Sequence, residues 1–241
     1  LIFRNGAITG FPTVSVPGHL SVGTGMLNGH HNFIGNGFYY RVEQQILSPG
    51  NIIAEADRYL ADPQLALDLF DFIMNPDGET IFEAATRHFG DGIFTASVNE
   101  LTLRGAQHSL IDMAAAFAGG ARADYYELAD QVAIPQVLGL LDEHAESGKK
   151  MLFFVSMYTT DDSGEHGGPH GGELRNKLVS LDLYMSKFLE RLDSLNIRDK
   201  SVIVLTADHG MELQDKSRSG GWQGAMQGTG VKYLDPDGFG F

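Results

Sequence analysis

Two pairs of residues in the sequence have side chains of the types that bind metal ions. Asp162 and His166 are four residues apart in the glycine-rich stretch 159–170, and Asp208 and His209 are adjacent. Carboxylate and imidazole groups are common zinc ligands, so each pair predicts a contribution to a metal site. A structural role is the alternative in each case: a solvated acidic loop for the first pair, and the polar end of a strand for the second.

A serine and an asparagine near the start of the chain have groups that could act on a substrate. Ser15 precedes Pro17, which suits the first turn of a helix because its missing N–H would be unpaired there anyway. Ser15 is therefore predicted at a helix N-terminus, where an anion is favoured and a hydroxyl can attack a phosphoryl or sulfuryl centre. Asn36, in the Asn- and Gly-rich stretch 29–37, could donate an amide N–H to a substrate oxygen. An ordinary N-cap and an ordinary turn are the alternatives.

Both candidate metal-binding pairs follow predicted strands. Residues 150–157 and 201–207 are short, continuous apolar runs, which are typical of buried parallel strands. Between them, apolar residues recur at three- and four-residue spacing over 174–192, which predicts an amphipathic helix that ends near Asn196. Strand, helix and strand in this order predict a right-handed βαβ unit whose carboxyl-end loops lie side by side. We therefore expect the two pairs to converge within a few Å.

The rest of the chain is predicted to complete one α/β domain over residues 1–241. Residues 51–75, 109–130 and 135–144 have helical patterns, and the other segments between 37 and 130 are mixed. The sequence therefore predicts a mostly parallel sheet flanked by helices, with a cap or insertion formed by residues 37–130.

Composition limits the classes of function. The 241 residues include 31 acidic and 17 basic side chains, for a net charge of −14, which argues against a nucleic-acid duplex as the main partner. The absence of cysteine excludes disulfides, thiolate zinc sites and cysteine nucleophiles. No apolar run approaches the roughly 18 to 20 residues that span a bilayer, so no membrane span is predicted in this segment.

Together these motifs resemble the alkaline phosphatase superfamily. The resemblance depends on Asp-x-x-x-His with Gly-Pro close behind, and on a strand followed by Asp-His-Gly-Met. The opening block 12–21, followed by Thr24-Gly25 and Gly35-Asn36, resembles the type I phosphodiesterase/nucleotide pyrophosphatase branch. The resemblance covers about residues 1–40 and 150–215, and it leaves the middle of the chain unassigned.

The resemblance implies a metal-dependent hydrolase of phosphate esters that acts on a small-molecule ester or nucleotide through a covalent phosphoseryl intermediate. Ser15 falls at the nucleophile position, where most relatives have threonine, and Asn36 falls at the position that binds the transition state. Two divalent ions, zinc in most relatives, are implied, one of which also activates the serine. A periplasmic or secreted location is implied in the same way. The implied ligands are Asp162 and His166 for one ion, and Asp208 and His209 for the other.

The chain departs from the family pattern at two ligand positions. Relatives have a further Asp on a strand before the nucleophile and a further His far downstream, whereas residues 1–14 contain no Asp and no His follows His209. We therefore expect the whole protein to extend beyond this chain at both ends. Asp161 is a second choice for Asp162, because the register of that segment is ambiguous by one residue. His170 is a substitute for the absent His.

Three other functions remain open. A sulfatase-like hydrolase would have an arginine where His19 stands, although Pro17 fits its pattern. A phosphomonoesterase needs a group for the terminal phosphate, for which Arg104 is a candidate, with an ordinary surface arginine as the alternative. A superfamily member without metals, serving as a binding or structural subunit, is the third.

Overall fold

A computed structural model of the chain describes residues 6–49, 64–110 and 125–213, together with residues 2, 62, 215, 217 and 228–230. The described helices are α1 (Ser15–Thr24), α2 (Asn28–His31), α3 (Gln64–Ile73), α4 (Ile81–Phe89), α5 (Tyr125–His144), α6 (Thr159–Gly167) and α7 (Gly172–Ser194). The described strands are β1 (Phe38–Tyr40), β2 (Gln45–Leu47), β3 (Ile93–Val98), β4 (His108–Leu110) and β5 (Lys150–Val155). Short 3₁₀ turns follow α4 and α7.

The main sheet of the described chain is parallel, with the strand order β4–β3–β5. Ile93 pairs with Lys150 and Val98 with Val155, so β3 and β5 end at the same edge of the sheet. All six residues of β3 are buried, as expected for a strand with neighbours on both sides. Strands β1 and β2 form a separate antiparallel hairpin. The predicted α/β fold with a parallel sheet flanked by helices is confirmed.

Two apolar cores hold the helices in place. One joins strand β3 to helices α5 and α7, through residues such as Val98, Val137 and Leu192. The other contains Val16 and Leu20 of α1 with residues of α3 and the hairpin. The residues of α1 that point away from this core are therefore free to form the site.

Three elements predicted from periodicity are confirmed, and two others lie partly outside the described residues. The helix predicted over 135–144 forms the second half of α5. Strand β5 spans most of the predicted run 150–157, and α7 contains the predicted amphipathic helix. Asn196 has a positive φ of 55°, a left-handed conformation that ends helices. The helices predicted over 51–75 and 109–130 are described only in part, as α3 and the start of α5. The second prediction is wrong at residues 109 and 110, which belong to strand β4 because they pair with β3.

The strand predicted over 201–207 is wrong in the described structure. This segment has no strand pairing, and the side chains of Val202, Val204 and Leu205 are 91, 80 and 76% exposed. An apolar run becomes a strand only where another strand offers hydrogen-bond partners, and no described strand lies beside this one. The βαβ unit predicted around α7 is therefore not formed, and the parallel pair is β3 and β5 instead.

Two further expectations differ from the described chain. The glycine-rich stretch that includes Asp162 and His166 forms helix α6 rather than a loop. Strands β3 and β4 lie inside the stretch 37–130, so at least residues 93–98 and 108–110 belong to the sheet rather than to a cap. Whether other parts of that stretch form a cap stays a prediction. None of the described helices is long and apolar enough to cross a membrane.

Candidate active site

Ser15 is the first residue of α1, as its sequence context predicts. Its side chain is half-buried, and Oγ lies 3.3 Å from Nε2 of His209, which is 194 residues away in the chain. A hydroxyl at this distance can exchange a hydrogen bond with the imidazole. The fold therefore brings a candidate nucleophile together with one of the predicted metal-binding residues.

Asn36 is anchored beside Ser15 by a backbone hydrogen bond. Its Oδ1 accepts the N–H of Val16 at 2.9 Å, which leaves the amide NH₂ of this exposed residue for another acceptor. The same bond occupies one of the free N–H groups of the helix N-terminus, Pro17 has none, and the N–H of Gly18 bonds to the carbonyl of Val14. The backbone of α1 therefore offers an anion fewer donors than a helix N-terminus usually does, and the Asn36 amide adds one beside Ser15.

Asp208 is held against α1 by backbone contacts. The Thr9 hydroxyl donates to the Asp208 carbonyl at 2.9 Å. A Cβ at Gly18 would lie 2.6 Å from the same carbonyl oxygen, so only glycine permits this approach. The carboxylate of Asp208 lies 3.3 Å from Nε2 of His209, with Oδ2 as the nearer oxygen. Segment 208–209 thus reaches the predicted position beside Ser15, although the strand predicted before it is absent.

Helix α6 places Asp161, rather than Asp162, nearest to this group. Oδ1 of Asp161 is 3.8 Å from Nε2 of His209. Burial raises the pKa of Asp161, and the carboxylates of Glu165, Asp208 and Asp162 add to this while His209 opposes it. Such crowding of negative charge favours a proton or a cation at this position.

Asp162 and His166 contact each other but no other predicted ligand among the described contacts. Nδ1 of His166 is 3.3 Å from Oδ1 of Asp162 and 3.0 Å from its backbone oxygen. The His166 side chain is 74% exposed, and its bond to the Asp162 backbone, with the charges of nearby carboxylates, raises its pKa. His170, the substitute considered for an absent ligand, lies 3.6 Å from Glu212 instead.

The donor chemistry near Ser15 fits a zinc ion, although the side chains contact one another directly. Asp208 and His209 offer a carboxylate and an imidazole, which are the oxygen and nitrogen donors that zinc takes. Within the residues that the structure describes, no three His, Asp or Glu side chains are arranged around a common metal position. The identity of the donors therefore supports a metal site, and its geometry stays a prediction.

A buried network lies under this group and connects α1 to the sheet. Nδ1 of His19 is 2.8 Å from Oε2 of Glu100, which has no exposed surface and also accepts the Ser156 hydroxyl. On the other side of the ring, Nε2 of His19 is 3.6 Å from Oδ2 of Asp208. The edge where β3 and β5 end thus supports the helix that begins at Ser15.

Within this network, His19 and Glu100 each stabilise the charged form of the other. Burial alone would lower the pKa of His19, but the Glu100 carboxylate, with smaller contributions from Asp208 and Asp161, raises it to about 9. Burial opposes the ionisation of Glu100, but the charge and hydrogen bond of His19, with bonds from Ser156 and the Thr102 N–H, lower its pKa. The pair is therefore a buried ion pair at neutral pH.

Arg104, the candidate phosphate ligand of a monoesterase, has a structural role. Its guanidinium forms an ion pair with Glu83, 2.9 Å away, and donates to the carbonyls of Asn75 and Gly78. Glu83 also forms the capping box at Thr80, the N-cap of α4. These contacts engage the Arg104 guanidinium at the start of α4, so the structure gives no support for a phosphate ligand there.

The sequence over residues 2–221 matches the type I phosphodiesterase/nucleotide pyrophosphatase family. The chain belongs to this family. The resemblance seen in the sequence motifs is therefore confirmed, together with the assignment to a family of phosphoric ester hydrolases.

Two solved structures of other proteins are similar to this chain, and the first of them shows the same fold. Murine ectonucleotide pyrophosphatase/phosphodiesterase 5, as an inactive variant in complex with AMP, matches with a TM-score of 0.53 at 14% identity. That match covers 80% of this chain and 45% of the murine chain, so this chain spans less than half the length of that protein. Phosphonoacetate hydrolase from Sinorhizobium meliloti 1021, in complex with phosphonoformate, matches with a TM-score of 0.45 at 18% identity, covering 79% of this chain and 45% of its own. A comparison with curated proteins found no match.

Sequence reasoning missed two residues of this candidate site. His19 is four residues after Ser15, a spacing that places both on one face of a helix, so the helix prediction contained this signal. Glu100 follows the end of β3, which the sequence pattern did not identify as a strand. A polar residue directly after a strand of a parallel sheet is a site candidate once that strand is known.

Proposed function

We propose that the chain provides the catalytic centre of a metal-dependent hydrolase that cleaves a phosphodiester or pyrophosphate bond in a small molecule such as a nucleotide. The main support is the meeting of Ser15 with His209 and Asp208 at the start of α1, 3.3 Å between Ser15 Oγ and His209 Nε2. A serine hydroxyl is a weak nucleophile at neutral pH unless a base or a metal activates it, and the Ser15 hydroxyl lies within hydrogen-bond distance of a predicted metal ligand.

Ser15 would attack the phosphorus atom in line with the leaving group. The bond from Oγ to phosphorus forms while the bond to the leaving oxygen breaks, and the hydroxyl proton passes from Ser15 to a neighbouring proton acceptor or to solvent. Attack by a water molecule on the phosphoseryl group then breaks the bond from Oγ to phosphorus and restores the hydroxyl. The half-buried position of Ser15 leaves one side open for the substrate.

Asn36 would bind a non-bridging oxygen of the phosphoryl group. Because its Oδ1 accepts the Val16 N–H, the amide NH₂ takes no part in that bond and would be the group that donates to the substrate. A fixed donor at a developing negative charge stabilises the transition state more than the ground state. The fixed orientation of this amide supports its proposed role.

The proposed zinc ligands are those that the sequence motifs indicate. Asp208 and His209 would hold one ion next to Ser15, and Asp162 and His166 would hold the second. Zinc bound there would supply positive charge that lowers the pKa of the serine hydroxyl and stabilises the charge of the phosphoryl group. The chemistry of the donors supports this assignment, and the negative net charge of −14 makes such local positive charge necessary for binding an anionic substrate.

The experiment that tests this function compares Ser15→Ala with Thr13→Ala in the full-length protein. Hydrolysis of an aryl phosphodiester and of an aryl nucleotide ester is measured together with zinc content and thermal stability. We expect Ser15→Ala to lose measurable turnover while it retains its zinc, and Thr13→Ala, two residues earlier in an exposed position, to remain active. Normal turnover by Ser15→Ala would refute the serine mechanism, and a preference for monoesters would favour the phosphomonoesterase.

A further inference from the structure

His19 lies one helical turn after Ser15, and its two ring nitrogens face two different carboxylates. Nδ1 is 2.8 Å from Glu100, and Nε2 is 3.6 Å from Oδ2 of Asp208. Only 14% of the His19 side chain is exposed, so the ring is held between these groups rather than in solvent. The His19 imidazole therefore links Asp208, which lies in the candidate site, to the buried Glu100.

Glu100 fixes the orientation of this ring. Its Oε1 accepts the backbone N–H groups of Leu101 at 2.9 Å and Thr102 at 3.1 Å, while Oε2 accepts from His19 and the Ser156 hydroxyl. With both oxygens engaged and no exposed surface, the carboxylate has one orientation available to it. The direction of Nε2 of His19 follows from that of Nδ1, because the ring is rigid.

We propose that His19 is a positioning residue for Asp208. Held by Glu100, its Nε2 fixes the Asp208 carboxylate beside Ser15 and His209. This inference rests on the proposed function, in which Asp208 is a zinc ligand. Groups that hydrogen-bond to the ligands of a metal ion fix the orientation of those ligands. Loss of such a group costs about 10-fold to 100-fold in metal affinity or activity. Helix α1 would thus align both the nucleophile and the Asp208 donor.

Two substitutions of His19 separate this role from a purely structural one. The amide of His19→Asn takes the place of Nδ1, so it can keep the bond to Glu100 but does not reach Asp208. The amide of His19→Gln takes the place of Nε2, so it can keep the contact with Asp208 and loses the bond to Glu100. The same substitutions at the exposed His88 are the matched controls.

The measurements are zinc affinity, kcat, KM and thermal midpoint of the full-length protein. We expect His19→Asn to bind zinc about 10-fold to 100-fold more weakly and to lose kcat by a similar factor, with KM nearly unchanged. His19→Gln should recover most of both losses although its thermal midpoint falls. The His88 variants should behave as the wild type does.

The inference is overturned if His19→Asn keeps wild-type zinc affinity and kcat, or if His19→Gln is the more impaired of the two. Should neither variant fold, zinc is added to histidine-labelled wild type: ring nitrogen signals of His19 that shift with zinc support the role, and unchanged signals overturn it. Failure of the proposed function looks different, because the wild type itself would then lack phosphodiester hydrolysis.

Discussion

The two halves of the candidate site differ in what holds their side chains in place. Near α1, Ser15 and His209 come from segments 194 residues apart, and the His209 side chain is only 13% exposed. On α6, Asp162 and His166 belong to one helical turn, and the His166 side chain is 74% exposed. The first arrangement depends on packing between distant segments, whereas the second is available to any helix with this spacing.

This difference shows that tertiary contacts determine the geometry of the α1 half, whereas local helix contacts determine that of the α6 half. The α1 half is supported by Glu100 and the sheet edge, so its groups are pre-organised before a substrate or metal arrives. The α6 half has local contacts and a carboxylate at its N-terminus, where Asp130 accepts the N–H groups of Tyr158 and Thr159. Substitutions in the two halves should therefore have effects of different kinds.

Substitutions of the proposed zinc ligands should have the largest effects on turnover and zinc content, and they compare the α1 half of the site with the α6 half. Asp208→Asn should eliminate measurable turnover and remove the zinc next to Ser15, because the neutral amide is a poor metal ligand. Asp162→Asn should remove one zinc per chain, and Asp161→Asn should remove none. Zinc counted by elemental analysis, with turnover of an aryl phosphodiester, checks the three variants. Loss of zinc from Asp161→Asn instead of Asp162→Asn would reverse the assignment in the α6 half.

Substitution of Asn36 tests whether its amide is part of the pre-organised α1 half. Asn36→Ala should reduce kcat by about 10² to 10³, the cost of removing one donor to a developing oxyanion, with zinc content unchanged. Asn176→Ala, at an exposed position of helix α7, is the matched control. Equal kcat values for the two variants would show that the Asn36 amide serves only to cap α1.

A pH titration of stability tests the packing behind α1. Burial lowers the pKa of His31 to about 4, and Nδ1 of this ring accepts the N–H of Phe33. Because the unfolded state then binds the proton more readily, stability should fall by about 3 kcal/mol between about pH 6.5 and pH 4. Urea unfolding across this range checks it. The same slope in His31→Gln would assign the effect to other titratable groups.

The smallest effect is expected at the N-terminus of α6. Asp130→Ala removes the acceptor of two backbone N–H groups and should cost about 1 to 2 kcal/mol of unfolding free energy. Urea unfolding of this variant and of Asp199→Ala, an exposed control, provides the measurement. If the two variants are equally stable, the α6 half needs no support from α5. Tertiary support would then be confined to the α1 half.

Much of the site and fold could be predicted from local sequence patterns. The start of α1 at Ser15, strand β5 and helix α7 follow from proline placement and periodicity, because helices and buried strands are encoded by residues close together in sequence. The pairing of Asp162 with His166 has the same origin, although the segment was predicted as a loop and forms a helix. Glycine lowers helix propensity without excluding a helix that is capped and packed.

Tertiary structure alone decided the other features. The run 201–207 has the composition of a strand, but pairing depends on which strand lies beside it, and composition does not contain that information. The contact of His19 with Glu100 joins residues 81 apart, and the meeting of Ser15 with His209 needs α1 packed against segment 208–209. Such contacts form only when the chain closes long loops and buries a shared core. Local sequence patterns therefore predicted the candidate groups, whereas tertiary packing decided which of them meet.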